Sequence, residues 1–201
     1  MGARSLDELA AAGILQARFH AGASPSAHHW TLEDAGGQEL ARTRRVHSGG
    51  MLQRAVWKTV TLTGLDSGND IHVELVGADD AVLARASSFN AQPRTVAVTD
   101  AAGLSLARTT NADGKITLES GDPGRVLATV EHSDGDEPWP VIDPDGAQIA
   151  ELLVGDPASS DTARTVHLGL RRVVRYTLAP AGDADVPVGV ALLPLLAGLT
   201  Y

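Results

Sequence analysis

The chain has 201 residues, of which 25 are acidic and 16 basic, giving a formal net charge of −9. A protein whose main task is to neutralise nucleic-acid phosphates needs the opposite balance, so this class of function is excluded as the general role. The absence of cysteine also excludes disulfides, thiolate metal sites and cysteine nucleophiles.

The first 29 residues are predicted to form a short helix followed by a flexible arm. Ser5 and Glu8 have the spacing of a capping box ahead of an Ala-rich run, which predicts a helix over about Leu6–Ala12. Residues His20–His29 are rich in Ala, Ser, Gly and His, a composition typical of a loop. The segment lacks the clean apolar stretch of a secretion signal. The expected localisation is therefore cytoplasmic, with peripheral contact to a membrane as a further option.

From Trp30 onwards the chain contains an internal repeat: Asp or Gly, two residues, Gly, two residues, then Leu or Ile and Ala. Asp can hydrogen-bond to the backbone of a turn and Gly accepts a left-handed conformation, so each copy predicts a β-hairpin. The flanks alternate between apolar and polar residues, as in half-buried strands. A degenerate copy is expected around Val56–Gly64, and two strands per copy give about twelve strands. The five clear copies are Leu32–Ala41, Leu75–Ala84, Val98–Ala107, Glu119–Ala128 and Val141–Ala150, with Asp80 replacing the second Gly in one of them.

The last sixteen residues, Val186–Tyr201, contain no charged residue and are apolar on every face, as in a buried helix. Such a helix would be about 24 Å long, shorter than the ~30 Å hydrocarbon core of a bilayer, which favours a protein core over a membrane. Pro194 predicts a kink. Asp185 is predicted as the N-cap, with Pro187 near the first helical position. The side chains expected to fill the core are Leu192, Leu193, Leu195, Leu196 and Leu199.

Hairpins and helix together predict a mainly β fold, an antiparallel barrel of about twelve strands closed around the C-terminal helix. Closure removes exposed sheet edges, and a barrel of this size is too wide for its own side chains to fill. The barrel is expected to span residues 30–201, with the helix at 186–201 and the N-terminal arm at 1–29. The alternative is a β-trefoil, because two hairpins make a unit of about 43 residues, but a trefoil has no place for the helix.

The order of these motifs resembles the superfamily that joins tubby C-terminal domains, phospholipid scramblases and LURP-one-related proteins. The resemblance covers about Trp30–Tyr201. It is carried by WPVIDPDGAQIAELL at Trp139–Leu153 and by YTLAPAGDAD at Tyr176–Asp185, which precedes VPVGVALLPLLAGL. It is strongest to the scramblase-like and LURP-one-related branch, although the chain lacks the cysteine-rich segment and proline-rich arm of scramblases. The resemblance implies a non-enzymatic module that recognises a lipid headgroup, an acyl chain or a protein partner.

Arginine is the residue type that points most directly to a ligand, with fourteen arginines against two lysines. The guanidinium fork matches the geometry of phosphate. Alternation places Arg42 and Arg44 on one face of a strand, and Arg171 and Arg175 on one face of another. Together with Arg45 they form a candidate anion or lipid-headgroup site, a use that resembles phosphoinositide binding by tubby domains. The competing interpretation is an ordinary charged barrel exterior whose arginines pair with carboxylates.

Catalytic signatures are lacking, since the chain has no Gly-x-Ser-x-Gly elbow, no phosphate loop and no His-Glu-x-x-His motif. An enzyme or a lipid-moving protein without a recognisable motif is therefore the alternative function. A weak calcium site is a candidate at the acidic loop residues Asp134 and Asp136. The resemblance to scramblases adds Asp183 and Asp185, which precede the terminal helix. No cofactor is predicted, and the expected partner is an anionic lipid or a protein, not nucleic acid, with no integral membrane segment.

Overall fold

The computed structural model describes residues 2–20, 29–46, 71–89, 94–120, 125–132, 137–155, 165–167, 170–172, 175–182 and 184–200. The strands are β1 (Leu15–His20), β2 (His29–Glu33), β3 (Glu39–Arg45), β4 (Ile71–Val76), β5 (Val82–Phe89), β6 (Arg94–Asp100), β7 (Ser105–Ala112), β8 (Lys115–Ser120), β9 (Val126–Glu131), β10 (Trp139–Ile142), β11 (Gln148–Val154), β12 (Thr165–His167), β13 (Leu170–Arg172) and β14 (Arg175–Pro180). The helices are α1 (Leu6–Ala10), a short 3₁₀ helix (Ala78–Asp80), α2 (Val188–Ala191) and α3 (Leu193–Thr200).

Twelve strands form one closed antiparallel barrel in which chain order is also spatial order, from β1 through β11, and β14 closes the ring between β11 and β1. The remaining strands, β12 and β13, pair with each other in a separate two-stranded sheet. The predicted mainly β, twelve-stranded barrel is therefore confirmed. A β-trefoil is excluded, because all twelve strands belong to a single closed sheet.

The twelve strands are not the set that the repeat predicts. The five repeat hairpins supply ten of them, β2 to β11, and the other two are β1 and β14. The barrel therefore begins at Leu15, within the segment predicted to be an arm, because Leu15–His20 alternates inward and outward side chains as a strand does. The predicted degenerate copy at Val56–Gly64 lies outside the described residues.

The repeated Asp forms the turn that its sequence predicts. The Asp100 carboxylate accepts a hydrogen bond from the Leu104 amide at 2.8 Å, and its backbone carbonyl accepts one from the Gly103 amide at 3.1 Å. Gly103 has a φ of 91°, in the left-handed region that favours glycine. Where Asp80 replaces this glycine it adopts a φ of 58°, which Asp tolerates better than most residues.

A β-bulge lies at the same place in all five repeat hairpins, next to the turn and on the strand that follows it. The repeat alanine pairs with the residue before the bulge, as Ala107 does with Val98, and the preceding Leu or Ile is the extra, unpaired residue. Both residues then face the core, which explains the Leu-Ala or Ile-Ala end of each copy. The alanines are Ala41, Ala84, Ala107, Ala128 and Ala150, and the extra residues are Leu40, Leu83, Leu106, Leu127 and Ile149.

The repeat turns in the described part of the chain lie at one end of the barrel, the turn end, and the N-terminal segment crosses it. The Ala3 amide donates to the Leu40 carbonyl and the Ala3 carbonyl accepts from the Ala78 amide, both at 2.8 Å. A Cβ on Gly77 would collide with the Ala3 carbonyl oxygen, so only glycine fits there. The following helix α1 has the predicted capping contact, with the Ser5 hydroxyl accepting from the Glu8 amide, and it packs against α2.

The C-terminal segment forms two short helices with a break at Leu192. A kink is therefore present as predicted, and Pro194 lies in the first turn of α3, where its missing N–H costs little. The prediction of Asp185 as N-cap is wrong: the chain stays extended through Pro187, whose carbonyl accepts the first helical hydrogen bonds, and Asp185 is exposed. Among the described residues, no helix has both the length and the apolar character needed to cross a membrane.

The apolar face of this segment is buried as predicted. Helix α2 contacts β7, β8 and β9, whereas α3 contacts β14, β1 and β6. At the opposite end of the barrel, the far end, Gly198 packs against the indole of Trp30, and the Ser88 hydroxyl donates to the Leu199 carbonyl at 3.4 Å. The fully buried leucines are Leu192, Leu193, Leu195 and Leu196, and Leu199 is partly buried.

Candidate anion-binding face

The arginines of β3 lie on two sides of the barrel wall. Ala41 and Thr43 are buried, Arg42 and Arg44 are exposed, and Arg45 is half-buried. Alternation therefore places Arg42 and Arg44 on the outer face, as predicted, and Arg45 on the inner side. The three arginines consequently do not form one cluster.

Arg44 belongs to an ion-pair ladder. Its guanidinium donates to Glu74 Oε2 from Nη2 at 2.7 Å and from Nε at 3.2 Å, and Arg85 Nε lies 3.5 Å from Glu74 Oε1. The three residues are register partners on β3, β4 and β5. The hydrogen bonds from Arg44, followed by those from Arg85, hold the pKa of Glu74 below its ordinary value against the opposing effect of burial. This part of the outer face corresponds to the charged exterior that the competing interpretation expects.

Arg42 has a looser partner. Its Nη2 lies 3.0 Å from Asp80 Oδ1, and about half of each side chain or more remains exposed (52% and 65%). Exposed pairs of this kind typically contribute only about 0–1 kcal/mol. An incoming anion can therefore compete for Arg42 at little cost.

Barrel closure brings Arg175 towards Arg42 through strands that are distant in sequence. Arg175 is the register partner of Arg18, Arg18 of Thr31, and Thr31 of Arg42. The result is a row across the outer face of β14, β1, β2 and β3, which we call the arginine row: Arg175, Arg18 and Arg42, with Thr31 between the last two. Adjacent strands are about 4.8 Å apart, so the backbone of the row spans roughly 14 Å.

Like charges directly opposite each other on neighbouring strands are destabilising, so Arg18 beside Arg175 carries an energetic cost. The Arg18 side chain is exposed and makes no hydrogen bond or ion pair with another described residue. Sequence reasoning missed Arg18 because Leu15–His20 was assigned outside the barrel. Its alternation of apolar and polar residues was the signal that could have identified the strand.

A hydrogen-bonded group adjoins the row on β1 and β2. The Thr31 hydroxyl, almost fully buried, donates to Glu33 Oε1 at 3.0 Å and lies 2.9 Å from His20 Nε2. Because the hydroxyl proton points to Glu33, the imidazole must donate from Nε2. His20 stacks on its register partner His29, with 5.0 Å between ring centroids and 12° between planes. We call these two residues the histidine pair.

Other predicted site residues are not brought into this face. Arg171 lies on β13 and Arg175 on β14, in two different sheets, so the prediction that they share one strand face is wrong. Of the candidate calcium ligands, Asp134, Asp136 and Asp183 lie outside the described residues. Within the described part of the chain, no group of three His, Cys, Asp or Glu residues is placed to hold a metal ion.

Comparison of the chain with known proteins identifies no matching family model, no matching curated protein and no matching solved structure. The chemistry of the face therefore stands on its residues alone. Three guanidinium groups in a row, next to two imidazoles, suit a tetrahedral oxyanion such as phosphate.

Proposed function

We propose that the protein is a non-enzymatic binding module of the scramblase-like and LURP-one-related type, and that its ligand is a phosphate-bearing anion such as a lipid headgroup. The observation that carries this proposal is the arginine row. Barrel closure gathers its three cations from β14, β1 and β3, segments far apart in the chain. The cost of facing Arg18 with Arg175 is offset when an anion lies between them.

The packing inside the barrel favours a ligand site on the outer face. We infer that α2 and α3 occupy the lumen, because α3 contacts β1 and β14 as well as β6, which lies across the ring from them. Leu193 and Leu196 are both 0% exposed. An acyl chain would have to compete with this helix for the same space, whereas a headgroup on the outer face would not.

The titratable groups support binding more than catalysis. In the described residues, the pKa is clearly shifted for His20, Glu74 and His132. Glu74 is engaged by two arginines, and His132 stacks on Trp139 with 4.1 Å between ring centroids. A catalytic site would bring such groups together in one cleft, and these three lie on β1, β4 and the end of β9.

Binding to vesicles tests the proposal. The protein should bind vesicles containing phosphatidylglycerol at low salt, release them as salt rises, and ignore pure phosphatidylcholine. Each arginine near an anionic surface contributes about 1 kcal/mol, or roughly fivefold in affinity. Arg18→Ala should therefore weaken binding by about fivefold, and Arg18→Ala with Arg175→Ala by more than tenfold.

Arg108→Ala is the matched control. Arg108 is an exposed, outward arginine on β7, on the opposite side of the ring from β1, so the substitution removes the same charge from another face. Equal weakening by Arg18→Ala and Arg108→Ala would reduce the effect to net charge and contradict a focused site. No binding to either vesicle type at low salt would remove the proposed function.

A further inference from the structure

The histidine pair is the feature of the outer face that the proposed function leaves unused. His20 and His29 face each other across β1 and β2, stacked at 5.0 Å. Arg18 precedes His20 by two residues and Thr31 follows His29 by two, so the pair forms the next row beside the arginine row on the same face. An oxyanion on the arginine row is therefore about one residue pair away from two imidazoles.

The charged groups around the pair come from four strands. Strand β1 contributes Arg18, β2 contributes Glu33, β3 contributes Glu39, Arg42 and Arg44, and β14 contributes Arg175. Glu33 Oε1 lies 4.0 Å from His20 Nε2, but Glu33 already accepts the hydrogen bond from Thr31. Arg42 and Arg44 are themselves paired with Asp80 and Glu74.

The surroundings of His20 oppose its protonation in the free protein. Burial, followed by the charges of His29 and Arg18, lowers the pKa of His20, while Glu33 and Glu39 raise it to a smaller extent. An anion seated beside His20 reverses this balance, because it stabilises the added proton.

We propose that the histidine pair is the proton-linked half of the anion site, so that a phosphate-type anion binds the arginine row with uptake of a proton by His20, the imidazole that stacks on His29. This inference rests on the proposed function and adds its regulation: the face holds its ligand more tightly as pH falls. Linkage requires the reciprocal effect, in which the bound anion favours the protonated imidazole by the same factor.

Linkage also sets the size of the effect. Uptake of one proton increases affinity by at most about tenfold per pH unit. Between about pH 7.5 and pH 5.5 we expect an increase of at least about tenfold in vesicle affinity. The probe is phosphatidylglycerol, whose phosphodiester charge is constant over this range, so a change in affinity reports the protein.

Substitutions separate the pair from other histidines. His20→Gln and His29→Gln keep a hydrogen-bond donor and remove the titration, and the double variant should bind with equal affinity at the two pH values. His132→Gln is the matched control, because that imidazole follows β9, away from the arginine row, and stacks on Trp139. Its affinity should rise with acid as in the unchanged protein.

Sulfate serves as a second probe, because it is a dianion throughout this pH range and carries no lipid. NMR titration of the unchanged protein should show the pKa of the His20 imidazole rising when sulfate is added, which identifies a free anion as sufficient. A rise with phosphatidylglycerol vesicles and not with sulfate identifies a lipid surface as the source, and supports the same proton linkage. This readout needs no variant, so it holds even if His20→Gln fails to fold.

Two failures are distinguishable. Vesicle binding that depends on Arg18 and is the same at both pH values, with no imidazole shift, would overturn the proton linkage and leave the proposed function standing. An absence of binding at every pH and salt concentration would overturn the proposed function itself, and this inference with it.

Discussion

At the turn end of the barrel, short connections repeat one local structure, whereas at the far end the connections differ in length and the contacts come from distant parts of the chain. The turn end is made of Asp-x-x-Gly turns and bulges, each built within about ten residues. The far end depends on tertiary packing: Trp30 lies 5.4 Å from Phe19 and 6.0 Å from Tyr176 between ring centroids, and Gly198 packs against its indole.

The difference shows how one barrel combines two sources of order. Hydrogen bonds that nearby amides donate to a carboxylate form without the rest of the fold, so the same turn recurs at Asp34, Asp100 and Asp143. Aromatic contacts between β1, β2, β14 and α3 exist only when the ring has closed. The helices α2 and α3 contact both ends of the barrel. Disrupting these helices should therefore destabilise the turn end and the far end together.

The largest effect is therefore expected from the C-terminal helices. Replacing Leu196 with Asp puts an unpaired charge where the side chain is 0% exposed. Truncating a buried leucine to alanine already costs about 2–5 kcal/mol, against a usual total stability of about 5–15 kcal/mol. We expect Leu196→Asp, and a chain ending at Asp185, to be insoluble or molten, as judged by near-ultraviolet circular dichroism and urea unfolding.

Leu104→Asp is the control for that experiment, because Leu104 is 68% exposed at the turn end and should tolerate the charge within about 0.5 kcal/mol. A cooperative urea transition from residues 1–185 would sink the inference that the helices occupy the lumen. It would also favour a membrane-anchor role for the C-terminal segment.

Two glycines test the ends one at a time. A Cβ on Gly198 would lie 2.7 Å from the Trp30 ring at the far end, and a Cβ on Gly77 would meet the Ala3 carbonyl at the turn end. Overpacking of this kind costs about 1–3 kcal/mol. Gly198→Ala should alter tryptophan fluorescence, whereas Gly77→Ala should speed hydrogen exchange at the Ala3 and Ala78 amides. The same exchange pattern in both variants would mean that the ends are not independent.

Turn chemistry and alternation account for what could be read from the sequence. The Asp and Gly of each copy act within one turn, so Asp34, Asp100 and Asp143 could be assigned to hairpins without knowledge of the fold. The all-apolar Val186–Tyr201 likewise required burial. Each of these two patterns is made of residues that are close together in the sequence, so each could be interpreted correctly without knowledge of the fold.

The candidate site was harder to predict, because its residues become neighbours only through closure of the ring. Arg175 meets Arg18 because β14 pairs with β1, a contact between the two ends of the barrel sequence. Sequence reasoning assigned Arg42 and Arg175 to two different strands of one candidate site, and it placed Arg171 beside Arg175 on one strand face. The cross-strand neighbour of Arg175 is Arg18. It lies on the short strand β1, between an Ala-rich helix and a polar segment that was predicted to be an arm.

A smaller effect is expected from single turns. The Asp143 carboxylate accepts hydrogen bonds from the Asp145 and Ala147 amides at 2.9 and 2.8 Å. Asp143→Ala should cost about 0.5–2 kcal/mol in urea unfolding, by analogy with the loss of a helix cap. Asp145→Ala in the same turn should cost much less, because its side chain makes no such bond with a described residue. Equal costs would show that charge, and not the turn hydrogen bonds, stabilises this end.

The smallest expected effect is a loss of stability at acidic pH, which should begin at the far end of the barrel. His20 ends β1 and His132 follows β9, both at the far end, and burial is the main cause that lowers the pKa of each. The unfolded chain therefore takes up protons before the folded one as pH falls below about 6.5, so the free energy of unfolding decreases. Because both imidazoles are only partly buried, solvent screening should keep the decrease small.

Glu74 carries the opposite charge to a protonated histidine, and it affects stability in a lower pH range. Its folded pKa is lowered chiefly by the hydrogen bonds from Arg44, so its contribution to stability is complete above about pH 4.5 and is lost as pH falls through the folded value.

Hydrogen exchange at about pH 5.5, corrected for intrinsic rates and compared with about pH 7.5, should thus show reduced protection at far-end amides and unchanged protection in the repeat turns. Glu74→Gln should leave that pattern intact and remove only the loss of stability below about pH 4.5. If protection fell equally at both ends, the histidines would not be its cause, and the two ends would share one stability after all.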